Sequence, residues 1–375
     1  MDSEIPSLAL TVLRAARVRL SGSRPRRRPD RPQRILVAPH LRLGDAVLVT
    51  PLLAKLRERY PGADIVLLST LSMLPIYAPA PYGVVVWPYH PRRFSTVAAM
   101  LRQDGFDLAF LPGDNRHAWL AAALRARWIV AHAGDRPRVK SWPVDELLAY
   151  PDAPTATGEI FSALVAGPEP RPFRPGDWPQ PPCRDVALPA GPFAILHVGA
   201  STPLKLWPAP YWQHLAQWLD ARGIGVVWSG GAGEEALVRR IDPQQRHRSY
   251  AGALDLAQLW HLMAHARLFV SGDTGVAHLA RLTGVPSVTL FGPGSPQLFG
   301  RGRFWRDTPC IELAVADMAC RDQDDLFERH RPWIRRCRRT PAECRHAARC
   351  MTQLDVAGVE AAIERLWATC GLQRA

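Results

Sequence analysis

No stretch of this 375-residue sequence approaches the roughly 18 uninterrupted apolar residues of a membrane-spanning helix, so no transmembrane segment is expected. The apolar stretch at residues 5–20 is broken by Arg14, Arg17 and Arg19, and no small-residue cleavage site follows it. A secretory signal is therefore not expected, and the protein is read as cytoplasmic. No Gly-x-Gly-x-x-Gly fingerprint follows any apolar run, which removes the main support for a dinucleotide-binding enzyme. Despite a net charge of +13 there is no zinc finger, no RNP-like strand and no interleaving of basic and aromatic residues on one face, so nucleic acid is not an expected partner. The seven cysteines lack the short CxxC steps of zinc ribbons.

The length instead suggests two domains, with a ligand cleft between them. A hydrophobic fraction of 47% is ordinary for a globular protein. The positive charge is uneven, because residues 1–34 carry nine arginines against Asp2, Glu4 and Asp30. An apolar stretch with interspersed arginines, followed by Arg26-Arg27-Arg28, reads either as an amphipathic anchor on an anionic membrane surface or as a disordered, solvated tail over residues 1–33.

Apolar runs of strand length at Arg34–Ala38, Asp64–Ser69, Val84–Trp87, Asp107–Leu111 and Trp128–Ala131 alternate with helical patterns such as Ala46–Tyr60 and Phe94–Gln103. Such alternation predicts a parallel sheet covered by helices on both faces over residues 34–166. Residues 167–192 are rich in proline and read as an interdomain linker. A second alternation over residues 193–352 has strands at Phe193–Val198, Gly225–Ser229, Leu268–Ser271 and Ser287–Phe291. After Gly300 the pattern dissolves into an Arg- and Cys-rich segment, residues 310–350. A last helix, Leu354–Trp367 within residues 353–375, is expected to cross back to the first domain.

In open α/β sheets ligands lie beyond the carboxyl ends of the strands, so the residues just after each run carry the chemistry. In Leu41-Arg42-Leu43-Gly44-Asp45, Gly44 suits a tight turn and Asp45 reads equally as a helix N-cap or as a carboxylate placed to take a proton from an attacking hydroxyl. In Gly199-Ala200-Ser201-Thr202-Pro203-Leu204-Lys205, the hydroxyls of Ser201 and Thr202 and the Lys205 ammonium suit phosphate oxygens, a reading favoured over a polar loop with a surface lysine because an unpaired cation at a helix start calls for an anion. In Ser271-Gly272-Asp273-Thr274-Gly275, a strand leads into a helix whose free N–H groups suit a diphosphate approaching Thr274 and Gly275. Asp273 reads as a cap or a partner of sugar hydroxyls, and His278 as core or as a further phosphate donor. Glu234, after the Gly-rich Ser229-Gly230-Gly231-Ala232-Gly233, could accept from sugar or ribose hydroxyls.

With these loops in order, the chain resembles the bacterial lipopolysaccharide heptosyltransferases of glycosyltransferase family 9. The resemblance spans Arg34 to Gly300 and rests on Gly44-Asp45 with Thr50-Pro51, Lys205-Leu206-Trp207-Pro208, and Asp273-Thr274-Gly275-Val276-Ala277-His278 followed by Gly284-Val285-Pro286. It implies a GT-B fold, two Rossmann-like domains facing across a cleft. It also implies inverting transfer of heptose from ADP-heptose to a sugar hydroxyl of a lipid-linked core saccharide, at the cytoplasmic face of the inner membrane. By position, Asp45 would be the general base, Lys205 and the Thr274-Gly275 backbone would hold the diphosphate, Glu234 and Asp273 the hydroxyls, and Leu254 would lie against adenine. The Ser201-Thr202 loop is one residue longer than a common version.

No catalytic metal is implied, since a cation and a helix terminus can serve the leaving group. The triplet Asp322-Gln323-Asp324 follows no strand of the sheet and is set aside as a metal motif. Cys320, Cys337, Cys344 and Cys350 are candidates for a structural zinc or iron site, because some protein-modifying relatives of the family carry a four-cysteine iron site. Arg92, Arg93, Arg116 and Arg136 suit an anionic acceptor or ordinary surface. Another donor, a protein acceptor, a nucleotide-sugar epimerase and a silent scaffold are the competing readings.

Overall fold

A computed structural model describes residues 4–20 and 26–371. The chain forms two compact units, Met1–Arg171 with Asp325–Trp333 and Pro172–Asp324 with Ile334–Ala375. The first holds six strands: β1 (Arg34–Val37), β2 (Asp64–Ser69), β3 (Val84–Pro88), β4 (Leu108–Leu111), β5 (Trp128–His132) and β6 (Glu146–Leu148). All pair in parallel, in the order β3-β2-β1-β4-β5-β6. Ile35, Leu36 and Val37 and all four residues of β4 are fully buried, as expected where helices cover both faces of a sheet.

The second unit repeats this plan with β7 (Phe193–His197), β8 (Gly225–Ser229), β9 (Arg248–Ser249), β10 (Leu268–Gly272), β11 (Ser287–Phe291) and β12 (Cys310–Ala314). Their order is β12-β11-β10-β7-β8-β9, again all parallel. In each unit the first and fourth strands are neighbours, so the chain reverses direction across the sheet between them and leaves a crevice at their carboxyl ends. β12 corrects the expectation that the alternation ends at Gly300. Its charged Glu312, which accepts from Arg281 Nη2 at 3.3 Å and from the Arg301 N–H, masks it as a strand.

The first unit's helical pattern at 46–60 is two helices, Leu43–Leu48 and Thr50–Arg59. Pro51 has no N–H to continue the ladder, and Thr50 Oγ1 donates to the Val47 carbonyl instead. The basic segment is not a disordered tail over its described residues. Glu4–Leu20 is a helix packed on the helices Phe94–Leu101 and Ala118–Ala123, and Arg28 donates to both oxygens of Glu146 at 2.8 Å.

Nor does the proline-rich segment run free, since Phe173 and Trp178 are each 1% exposed and pack on Phe304 and Trp260 of the second unit. The last helix, Val356–Thr369, does not cross to the first unit. Val359, Ala362, Ile363, Leu366 and Trp367 enter the second unit's core, where Trp367 stacks on Trp218 at 5.8 Å. The piece that does return to the first unit is the antiparallel hairpin of β13 (Asp325–Leu326) and β14 (Arg329–His330).

Candidate active site

In the first unit, the loops after β1 and β4 meet at the point where strand order reverses. Asp45 is the third residue of Leu43–Leu48, whose N-cap is Arg42, so the N-cap reading of Asp45 does not hold. Gly44 likewise lies inside the helix and is not among the glycines of positive φ. Burial raises the Asp45 carboxyl above the ordinary 3.8, while His40, Arg42 and Arg116 pull it down and Asp114 pushes it further up. A buried carboxylate made more basic than usual is equipped to accept a proton.

Asp114, which sequence reading passed over, is 2% exposed and anchors this group. Arg116 grips it through Nε and Nη2, each at 2.8 Å, and His40 Nε2 lies 3.1 Å from its Oδ1. Burial alone would raise Asp114, but the hydrogen bonds from His40 and Arg116 hold it far below the usual carboxylate range. Lys140 continues the chain of charges, 3.8 Å from Asp114 and 3.3 Å from buried Asp135, whose other oxygen accepts the Asn115 N–H. Gly113 permits the close approach of this loop. Its φ is +97°, and a Cβ there would meet the His40 ring at 3.0 Å. Arg116 is thus committed to Asp114, while Arg92, Arg93 and Arg136 are exposed.

The hairpin of β13 and β14 braces the same loops. Arg329, 1% exposed, donates to the carbonyls of Gly113, Ala133 and His132 at 2.9, 2.8 and 2.8 Å and to Asn115 Oδ1 at 3.1 Å. Phe327, two residues earlier, packs on His40 at 5.2 Å and on Phe161 at 5.6 Å. Sequence reading could not find these contacts, because they join residues from distant parts of the chain.

In the second unit, the loops after β7 and β10 meet at the equivalent reversal. Lys205 Nζ donates to the Asp273 carbonyl at 2.7 Å and to its Oδ2 at 2.9 Å. The N-cap of the next helix, Gly275–Thr283, is Thr274. Asp273 is therefore not the cap but the ion-pair partner of Lys205. Gly294 lies against this carboxylate so closely that a Cβ would collide with Oδ2.

Thr274 makes no side-chain cap bond, and its Oγ1 is buried without a partner, as is Nδ1 of His278 one turn later. Burial, Arg281 and Lys205 hold the His278 imidazole well below 6.5, so it is neutral. Free N–H groups at a helix start, an unsatisfied hydroxyl, a neutral imidazole and an ammonium form an arrangement able to receive phosphate oxygens.

Glu234 and Thr202, also expected to bind the donor, have partners of their own. Glu234 accepts the Ala200 N–H at 3.0 Å and the Gly231 N–H at 2.5 Å, clamping its loop to the one after β7. Thr202 caps the short turn Pro203–Lys205 by accepting from Leu204 N, and Ser201 is exposed. Leu254 is half-buried, just before the capping residue Asp255.

The four candidate cysteines, Cys320, Cys337, Cys344 and Cys350, are near neighbours in the second unit. Burial pushes the Cys350 thiol up to about 11, Arg321 pulls it down, and Cys320, Cys337 and Cys344 add to the rise. Among the described residues, however, no three His, Cys, Asp or Glu side chains converge as metal ligands. The expected four-thiolate site is not assembled. Guanidinium groups occupy the region instead: Arg321 bonds the carbonyls of Gly292 and Val315, and Arg339 bonds the Cys320 carbonyl and both oxygens of Asp322.

The profile of glycosyltransferase family 9 (heptosyltransferase) matches residues 96–330. Lipopolysaccharide heptosyltransferase 1 of Pseudomonas aeruginosa is 25% identical over 79% of this chain and 91% of its own length. Among solved structures, E. coli heptosyltransferase WaaC with ADP superposes with a TM-score of 0.65 at 19% identity, covering 89% of this chain and 99% of that one. E. coli ADP-heptose lps heptosyltransferase II gives 0.63 at 21%, covering 88% and 99%. The iron-containing dodecameric glycosyltransferase TibC of enterotoxigenic E. coli gives 0.57 at 16%, covering 92% and 81%. At these identities the structures establish the fold, GT-B.

Proposed function

Because the chain belongs to glycosyltransferase family 9, we propose that it moves a heptose from ADP-heptose to a sugar hydroxyl of a lipid-linked lipopolysaccharide core, with inversion at the anomeric carbon. The observation that carries the donor half is the second unit's anion-receptive group of Lys205, Thr274 and the start of Gly275–Thr283. There the diphosphate would replace the missing partner of Thr274 Oγ1, and the Lys205 ammonium and helix N–H groups would stabilise the charge gained by departing ADP. Similarity to a heptosyltransferase 1 over nearly its whole length supports the sugar.

On the first unit, Asp45 takes the proton from the acceptor hydroxyl as that oxygen forms its bond to the anomeric carbon. The bond from that carbon to the phosphate oxygen breaks in the same displacement. Burial makes Asp45 more basic, and His40 and Arg116, anchored by Asp114, offset part of that rise. No covalent enzyme intermediate is required. Ser201, Leu254 and the remaining lone pairs of Glu234 are assigned to the nucleoside and sugar of the donor. The acceptor places the enzyme's work at the cytoplasmic face of the inner membrane. Among the described residues no helix is long and apolar enough to cross a membrane.

A panel of nucleotide sugars with ADP release and product mass as readout tests this reading. ADP-heptose should turn over, and Asp45→Asn should lower its turnover about 10²–10⁴-fold while donor binding stays within a few-fold. Preference for another donor would refute the sugar assignment, and wild-type turnover by Asp45→Asn would refute the base.

A further inference from the structure

Asp45 stands on a short helix, Leu43–Leu48, that ends three residues after it. Pro51 has no N–H to offer the Val47 carbonyl, which accepts from Thr50 Oγ1 at 2.5 Å instead. The carbonyl of Ala46, the residue next to Asp45, accepts from outside this pair of helices: Tyr77 Oη donates to it at 2.7 Å. Ala46, Val47 and Tyr77 are all buried, so this bond lies away from solvent. Burial pushes the Tyr77 hydroxyl above the ordinary 10, and Tyr82 adds to the rise, so the group stays a protonated donor. Any effect of Tyr77 on Asp45 therefore passes through the backbone that the hydroxyl holds.

Tyr77 is itself presented by a strained turn. It closes the helix Leu74–Tyr77, and its carbonyl accepts the Ala80 N–H at 2.9 Å, while the Ala80 carbonyl accepts the Gly83 N–H at 2.8 Å. Ala80 and Tyr82 have φ of +49° and +54°, a left-handed conformation that residues with a side chain adopt only where their surroundings impose it. Arg57 braces this turn: Nε donates to the Tyr82 carbonyl at 2.7 Å and Nη2 to the Gly83 carbonyl at 3.3 Å. Arg57 belongs to Thr50–Arg59, the helix that follows the one bearing Asp45. Residues 74–83 are thus fastened to this helix pair twice, by Tyr77 beside Asp45 and by Arg57 at the far end.

We propose that Tyr77 is a positioning residue for Asp45: through the Ala46 carbonyl its hydroxyl fixes the turn that carries the base. Without that donor a buried carbonyl near the end of a short helix is left unmet, and the turn can fray or rotate. Displacing a reacting group by about 1 Å can cost about 10²-fold in rate. The inference rests on Asp45 as the general base, and it names a residue that acts on that base from a different part of the chain.

Tyr77→Phe keeps the ring and removes only the donor, and it is compared with wild type alone and combined with Asp45→Asn in the full-length protein. With the nucleotide sugar that turns over best, Tyr77→Phe should lower kcat about tenfold and leave the donor KM and ADP affinity within about twofold. In the Asp45→Asn background the same change should cost less than about twofold, because the group it positions is already lost. A purely structural role would cost the same in both backgrounds. Amide hydrogen exchange over residues 45–49 should quicken about tenfold in Tyr77→Phe while the second unit exchanges as in wild type, a readout that needs no transfer reaction. Arg57→Met, which loosens the turn presenting Tyr77, should give the same non-additive pattern at about threefold, and it decides the matter if Tyr77→Phe does not fold. Wild-type kcat in Tyr77→Phe, equal losses in both backgrounds or unchanged exchange over residues 45–49 overturns the proposal. Wild-type turnover by Asp45→Asn would remove the base and this inference together, whereas an impaired Asp45→Asn beside a fully active Tyr77→Phe refutes the role of Tyr77 alone.

Discussion

Lys205 and Asp273 show how one pair of side chains sets two properties at once. Asp273 is 5% exposed and Lys205 holds it at 2.9 Å, so removing the lysine strands a buried carboxylate and also removes the proposed phosphate ligand. Lys205→Met is expected to destabilise the protein by about 3 kcal/mol and to weaken ADP binding about 10- to 100-fold. Adding Asp273→Asn should restore most of the stability, because no unpaired charge remains, and none of the affinity. Thermal unfolding and ADP titration on the single and double variants check this. Affinity that recovers with stability would mean that Lys205 acts only through Asp273. The first unit presents a parallel pairing, His40 with Asp114 at 3.1 Å, again bridging the loops after its first and fourth strands.

At the scale of elements, the hairpin of β13 and β14 matters more than its four paired residues suggest. Arg329 is one of the largest fully buried side chains and satisfies carbonyls of the loops after both β4 and β5. Those loops carry Asp114, Asn115 and Asp135. Arg329→Ala would leave these carbonyls buried without a donor and is expected to cost about 3 kcal/mol or more. Arg329→Lys should recover little, since a single ammonium cannot reproduce the planar fork that reaches several acceptors. The check is urea unfolding followed by Trp fluorescence. A midpoint for Arg329→Ala equal to that of wild type would show the loops to be held by other contacts. No periodicity marks this hairpin in the sequence, because its stability comes from carbonyls far along the chain.

Across the whole molecule, buried neutral histidines set the acid limit. Burial pushes His117, His132 and His197 down to about 4, and His278 falls well below 6.5. Their unfolded values lie near 6.5, so between pH 6.5 and 4 the unfolded chain binds more protons and stability falls as pH falls. Each of the three held near 4 contributes about 2 kcal/mol of loss by pH 5, an upper figure because such contributions do not add fully. The melting temperature should therefore be nearly constant from pH 8 to 7 and drop steeply below 6.5. A flat profile down to pH 5 would show these imidazoles to be solvated in the folded protein.

The sequence by itself determined the two repeated α/β halves, because fully buried parallel strands such as Ile35–Val37 and Leu108–Leu111 must be continuous apolar runs. It also determined the loops worth watching, since Asp45, Lys205 and Thr274 follow such runs directly. Edge strands such as β12 and β6 escaped it, because a strand paired on one side carries charged residues like Glu312 and Glu146 that break the apolar signal. Only the tertiary structure decided how each charge is spent: Asp273 on Lys205, Glu234 on two backbone N–H groups, Arg116 on Asp114, and the arginines of the first helix on carbonyls and Asp145. An ionic side chain can serve many partners at similar cost in water, so its identity along the chain says little. Folding picks the partner by desolvating the pair together, and that choice is written in three dimensions alone.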